Sequence, residues 1–131
     1  MGLTADRNTS MQSLEIVVIG AGAGVQIFAG SQVVLNATGF AIPGKTATGL
    51  TYIGRAEEYV DNRGGADGAK SVVIRREKAF KWANDGTINQ TKLFKPAYVV
   101  DDETVSGTDG GGTRSPSGLI VGIDADGVWV K

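Results

Sequence analysis

Gly39-Phe40-Ala41-Ile42-Pro43-Gly44-Lys45-Thr46, followed by Ala47-Thr48-Gly49-Leu50-Thr51-Tyr52-Ile53-Gly54, is the stretch on which the fold turns. Its first eight residues match the phosphate-cradling pattern GxxxxGK[ST] in full, with Gln32–Asn36 as an upstream strand. Tyr98-Val99-Val100-Asp101-Asp102 resembles the apolar run ending in aspartate that holds magnesium beside such a loop. A phosphate cradle works because its amides open a long helix. The second eight residues place Gly49 and Gly54 where that helix must run, and each glycine costs about 1 kcal/mol of helix propensity. Tyr52 and Ile53 favour a strand instead. Gly39, Gly44, Lys45 and Thr46 are therefore read as a decoy, with a nucleotide-binding protein as the alternative.

A second glycine-rich stretch meets the same objection. Val17-Val18-Ile19-Gly20-Ala21-Gly22-Ala23-Gly24 looks like the opening of a dinucleotide-binding strand. That fingerprint needs glycine or alanine at its sixth position and a helix directly after it. Val25 stands at the sixth position, and Gln26-Ile27-Phe28-Ala29-Gly30 is not a helical sequence.

Working outward, short apolar segments alternate with turn residues along the rest of the chain. Leu14–Ile19, Val25–Ala29, Gln32–Asn36, Phe40–Ile42, Leu50–Ala56, Ser71–Arg76, Lys78–Ala83 and Ala97–Val100 read as strands or extended pieces. Leu14, Ile16 and Val18 share one face of the first, and Phe80 and Trp82 share one face of the seventh. Asn84-Asp85-Gly86 is a tight-turn signal, because Asp-Gly tolerates the positive φ that hairpins require. Glu57–Val60 has the composition of one helical turn, Thr87–Phe94 reads as a short helix or an irregular return, and Ser106–Gly118 as a loop. Leu119–Ile123 and Val128–Val130 form a terminal hairpin around Asp124-Ala125-Asp126-Gly127. The expectation is an all-β fold, a small barrel or sandwich of about seven to nine short strands, spanning 14–131 as a single β domain. Residues 1–13 are polar and aperiodic and read as a flexible, extended N-terminal arm.

Composition narrows the chemistry. The 131 residues include 20 glycines, which at this scatter means many turns and no single linker. There is no cysteine and no histidine, which removes disulfides, thiolate nucleophiles and imidazole acid–base chemistry. The net charge of −1 gives no field that recruits nucleic acid or a membrane, and no apolar run approaches the ~20 residues of a spanning helix. Asp124-Ala125-Asp126-Gly127 begins like a calcium loop, but no glutamate closes it. No metal, no cofactor and no catalytic residue is expected, and the chain is not read as an enzyme.

Two features point to contact as the function. Residues 71–95 hold six Lys/Arg against two acids, whereas 96–131 hold two basic groups against six acids. Such asymmetry suits complementary subunit contacts, with Arg75, Arg76, Asp101 and Asp102 as candidates. Trp129 joins them by parity: if Val128 and Val130 face the interior, the indole points outward and a neighbouring subunit would cover it.

The chain resembles the small decoration (cement) proteins of tailed-phage capsids, a group often mislabelled as recombinase-like. The resemblance runs from about Leu14 to Lys131. It is carried by the Ala/Gly-rich start, Val34-Leu35-Asn36 with Gly39-Phe40-Ala41, and Ile53-Gly54-Arg55-Ala56 leading to Val60-Asp61-Asn62. Further on come Gly68-Ala69-Lys70-Ser71-Val72, then Tyr98-Val99-Val100-Asp101-Asp102 with Thr104-Val105, and finally Asp126-Gly127-Val128-Trp129-Val130. The resemblance implies a compact β-domain, made in the host cytoplasm, that sits on the capsid exterior of the virion and clamps neighbouring major capsid subunits. Its partners would be the major capsid protein and itself, as a homo-oligomer with a trimer favoured over a dimer. Thr4, Asp6, Arg7, Asn8 and Thr9 of the arm are the candidate capsid contacts. A β-rich tail or head-completion protein is the other structural alternative.

Overall fold

The computed structural model describes residues 2–131; Met1, the first residue of the expected arm, lies outside them. Twelve strands follow in order: β1 Ile16–Gly20, β2 Gln26–Ile27, β3 Gln32–Leu35, β4 Ala41–Pro43, β5 Thr51–Ala56, β6 Val60–Asp61, β7 Ser71–Arg75, β8 Phe80–Asn84, β9 Pro96–Val99, β10 Thr104–Ser106, β11 Pro116–Asp124 and β12 Gly127–Val130. Eight have four residues or more, in line with the seven to nine expected; the other four, β2, β4, β6 and β10, are pieces of two or three residues. The fold is all-β, and one 3-10 turn at Gln90–Lys92 is the only helical element among the described residues.

The strands divide into a five-stranded antiparallel sheet, β1-β7-β5-β3-β4, and a closed barrel, β10-β8-β12-β11-β9, with β2 and β6 paired separately. One core lies under the sheet, where Val17, Ile19, Val33, Ala56, Val72 and Ile74 pack with Ala21, Ile27 and Val60. A second fills the barrel with Phe80, Trp82, Ala97, Val105, Ile120, Val128 and Val130. Period-two alternation builds that interior: Phe80 and Trp82 point in while Lys81 points out, and Val128 and Val130 are buried on either side of Trp129.

Several local readings change. Glu57–Val60 is not a helical turn: the Glu57 N–H donates to the Val73 carbonyl, and Val60-Asp61 pairs with Ile27-Gln26, so the segment is drawn out by strand partners. Asn84-Asp85-Gly86 does turn, with Gly86 at φ +100, but it closes no hairpin. The Asn84 side chain takes the N–H groups of Gly86 and Ile88, and β8 pairs with β12 on one side and, in parallel, with β10 on the other. Within Ser106–Gly118, Ser106 ends β10 and Pro116–Gly118 begins β11. That nine-residue strand shifts register between Pro116 and Leu119, which lets it serve both β9 and β12.

The sheet and the barrel are bolted together at one place. Gln32 donates its backbone N–H to Asp102 O at 2.7 Å and its side-chain amide to Asp101 O at 2.9 Å. Ser115 Oγ donates to Ala47 O and accepts from the Leu50 N–H. The Trp82 indole N–H donates to the Tyr52 hydroxyl at 3.3 Å; burial pushes that phenol up to about 12, with the indole hydrogen bond acting against the shift. Val34, Ile42 and Val99 fill the seam.

Candidate functional site

Both nucleotide-like stretches are absorbed into this framework. After β4 the chain bends through Gly44–Leu50 and enters β5, so no helix follows the GKT triplet. The Gly44 N–H donates to Gln32 O, Gly39 N–H to Asn36 O, and Phe40 N–H to the Asn36 side chain. Thr46 Oγ1 donates to the Val100 carbonyl at 2.9 Å. The two halves of the apparent motif, Gly44–Thr46 and Val99–Asp101, do meet, but through backbone carbonyls that repel phosphate. In the Gly20–Gly24 run the amides of Ala21, Gly22, Ala23 and Gly24 go to Lys70 O, Ala41 O, Asp67 Oδ1 and Asn62 O. The Gly20–Gly24 run keeps no row of free N–H groups for an anion, and the GKT loop has no helix N-terminus to focus such a row.

Among the described residues no group of three or more acids gathers as a metal site. The surface carries open hollows, one of them about 560 Å³ between Asp61–Gly65 and Ala69-Lys70. Part of the surface charge closes on itself. Glu57 pairs with Arg55 at 2.6 Å and with Arg75 at 3.4 Å, while Glu15 pairs with Lys78 at 2.6 Å and Arg75 at 3.8 Å. The hydrogen bond and charge of Lys78 hold Glu15 below the usual carboxylate range, and the hydrogen bond from Arg55 does the same for Glu57.

The sequence-predicted contact residues fall in separate places. Arg75 takes acidic partners from its own chain, and Arg76 is half-buried beside Glu77, Lys78 and Phe80. Asp101 accepts the Glu103 N–H to close its turn, and Asp102 is half-buried against β3. Trp129 points outward as parity requires and is 37% exposed, but its cover is largely its own chain. The indole N–H donates to Asp124 at 2.8 Å, and Lys81 Nζ stands 5.6 Å from the ring centroid. Thr4, Asp6, Arg7, Asn8 and Thr9 are exposed within residues 2–14, which lie outside any strand.

What the sequence left undistinguished is the exposed apolar surface. Leu14, Ile16 and Val18 share a face, as expected, but it is the outer one: Val18 is 65% exposed, while Val17 and Ile19 turn to the core. β1 is the edge of its sheet, with β7 on one side and, among the described residues, no strand on the other. Phe28 and Tyr59 form an exposed aromatic pair, and Phe94 and Leu119 stand out from the barrel. Comparison with family models, curated proteins and solved structures finds no match to this chain.

Proposed function

We propose that the chain is a structural virion protein that binds the outside of the assembled tailed-phage capsid and stabilises contacts between major capsid subunits, acting as a homo-oligomer, with a trimer favoured. The observation that carries this reading is the β1 edge. An open edge strand with Ile16 and Val18 bare is an association hazard unless a partner covers it. Residues 2–14 lead directly into that edge, so a capsid strand laid along β1 would meet the arm and its candidate contacts in one continuous surface. The rest of the molecule suits a clamp: two apolar cores and a bolted seam give a rigid body. Sequence resemblance to capsid decoration proteins supports the same reading.

Gel densitometry of purified virions against the major capsid protein tests it. Hundreds of copies per particle are expected; a dozen or fewer would make the chain a tail or head-completion part. Calorimetry with ATP and magnesium tests the nucleotide-binding alternative, and no heat is expected. Val18→Lys is expected to abolish capsid binding and leave thermal unfolding unchanged, since the side chain stands in water.

A further inference from the structure

We propose that copies of this chain assemble head to tail through one contact, in which Phe94 of one copy seats on Phe28 in the hollow that Asp102 and Glu103 border on the next. The proposal rests on the self-association put forward above and not on the capsid.

The knob is unusual in two ways. Phe94 is 67% exposed, and its backbone has φ +60, a left-handed conformation that a bulky residue adopts only when its surroundings enforce it. The enforcing contacts are visible: the Phe94 N–H donates to Ile120 O at 2.7 Å, and the Ile120 N–H donates to Lys95 O at 3.0 Å. The ring is thus held out from the barrel on a fixed base, with exposed Leu119 on the strand beside it. Lys92 and Lys95 stand beside it in the chain, and neither has an acidic partner among the described residues.

The hollow has the opposite sign. Phe28, Ala29, Gly30, Ser31, Asp102 and Glu103 line a depression of about 390 Å³. Its aromatic side, Phe28, is braced by Tyr59: the ring centroids are 5.6 Å apart, and Gln26 Nε2 donates to the Tyr59 hydroxyl at 2.8 Å. Asp102 and Glu103 have no basic partner among the described residues. An aromatic knob with lysines beside it in the chain therefore complements Phe28 beside two carboxylates in chemistry and charge. Knob and hollow are built from different elements, so each contact leaves one of each free. A rotation that closes makes a ring, which is what a trimer requires.

Analytical ultracentrifugation at micromolar concentration tests the contact with four proteins besides the wild type. Phe94→Gly removes the ring and relieves the backbone, so it folds at least as well as the wild type, yet its association is expected to weaken by about tenfold or more. Lys95→Glu and Glu103→Lys each place like charges across the contact and should also weaken it. The double variant K95E/E103K restores opposite charges at every contact and should recover association to within about threefold of wild type. Thermal unfolding of each variant separates weak association from poor folding. Variants that sediment like the wild-type oligomer would overturn the contact and leave self-association standing. A double variant no better than its singles would overturn it equally, and a monomeric wild type would overturn both.

Discussion

Gly44 lies so close to Asp101 that a β-carbon on it would stand 2.8 Å from the Asp101 carbonyl oxygen and 3.0 Å from Val99 Cγ1. The glycine of the apparent phosphate loop is thus required by the seam between sheet and barrel, whereas the lysine beside it is exposed and unpaired among the described residues. A nucleotide site would rank them the other way in ligand binding. Gly44→Ala is expected to lower unfolding free energy by about 1–3 kcal/mol, and Lys45→Ala to change it by less than about 0.5 kcal/mol. Urea denaturation of both variants checks the order.

Asn62 is 2% exposed and ties two loops together, its amide donating to Gly22 O at 2.8 Å, Ala66 O at 3.1 Å and Ala21 O at 3.3 Å. Replacing it by alanine leaves the buried Gly22 O without its donor, while Ala21 O keeps the Gly68 N–H and Ala66 O the Ala69 N–H. Asn62→Ala should cost about 2–3 kcal/mol in urea denaturation, and hydrogen exchange should show the Gly20–Gly24 amides opening with it. A variant as stable as wild type would mean that water repairs the gap.

The seam that explains Gly44 shows where sequence reading succeeded and where it stopped. Glycines after the GKT triplet argued against a helix, and strict alternation put Phe80 with Trp82, and Val128 with Val130, on shared faces that the structure turns inward. Those signals are local, and the structure keeps them. Parity could not tell which face of β1 is buried, because Ile16 and Val18 are as apolar as Val17 and Ile19. The parallel pairing of Thr104-Val105 with Ala83-Asn84 closes the barrel across twenty residues, and no local pattern encodes it. Asp85-Gly86 announced a turn correctly but not its partner strand. The exposed ring of Phe94 belongs to an aperiodic segment, where side-chain direction depends on a backbone angle that sequence does not reveal.

Stability should be flat from about pH 5.5 to 8, since the chain has no histidine. Below that window five carboxylates matter, Asp85 among them: burial raises it, but hydrogen bonds from Thr87 and Ser106 outweigh that and leave it lowered. Hydrogen bonds from Arg63 hold Asp61 down to about 2, and Lys78, Arg55 and Lys81 lower Glu15, Glu57 and Asp126. A carboxyl depressed on folding stabilises the protein above its unfolded pKa, near 4, and that contribution is lost as pH falls through the folded value. Tm should therefore drop between about pH 4.5 and 2. The pairs are exposed, so 1 M NaCl should shrink the drop. Scanning calorimetry across pH and salt is the measurement, and a transition near pH 6.5 would contradict it.

Residues 2–12 are exposed throughout, and the first backbone bond from this end of the chain to the sheet is the Arg76 N–H to Glu15 O at 2.9 Å. Deleting 2–12 should move Tm by no more than about 2 °C, the scale of a few tenths of a kcal/mol in a domain this size. Binding to assembled capsids should weaken strongly. An unchanged affinity in a pelleting assay would shift the capsid contact away from Thr4–Thr9.

Trp129 separates two accounts of how this surface is covered. If a neighbouring subunit buried the indole, Trp129→Ala would remove about 2 kcal/mol or more of association energy. The structure offers a cover within the chain. A β-carbon at Gly122 would sit 3.1 Å from Trp129 Cδ1, so the ring lies directly on that strand. Its N–H is satisfied by Asp124, and Lys81 reaches both the ring and, at 3.0 Å, the Asp126 carboxylate. An indole with its polar atom paired and one face on β11 keeps 37% of its surface open, against 67% for Phe94. Trp129→Ala is therefore expected to lower unfolding free energy by about 1–2 kcal/mol, from lost burial and cation–π contact. Sedimentation should stay that of the wild type, in contrast to Phe94→Gly. Gly122→Ala, which pushes the ring off the strand, should reproduce the stability loss. Dissociation of the assembly by Trp129→Ala at unchanged Tm would instead place the indole at a subunit contact.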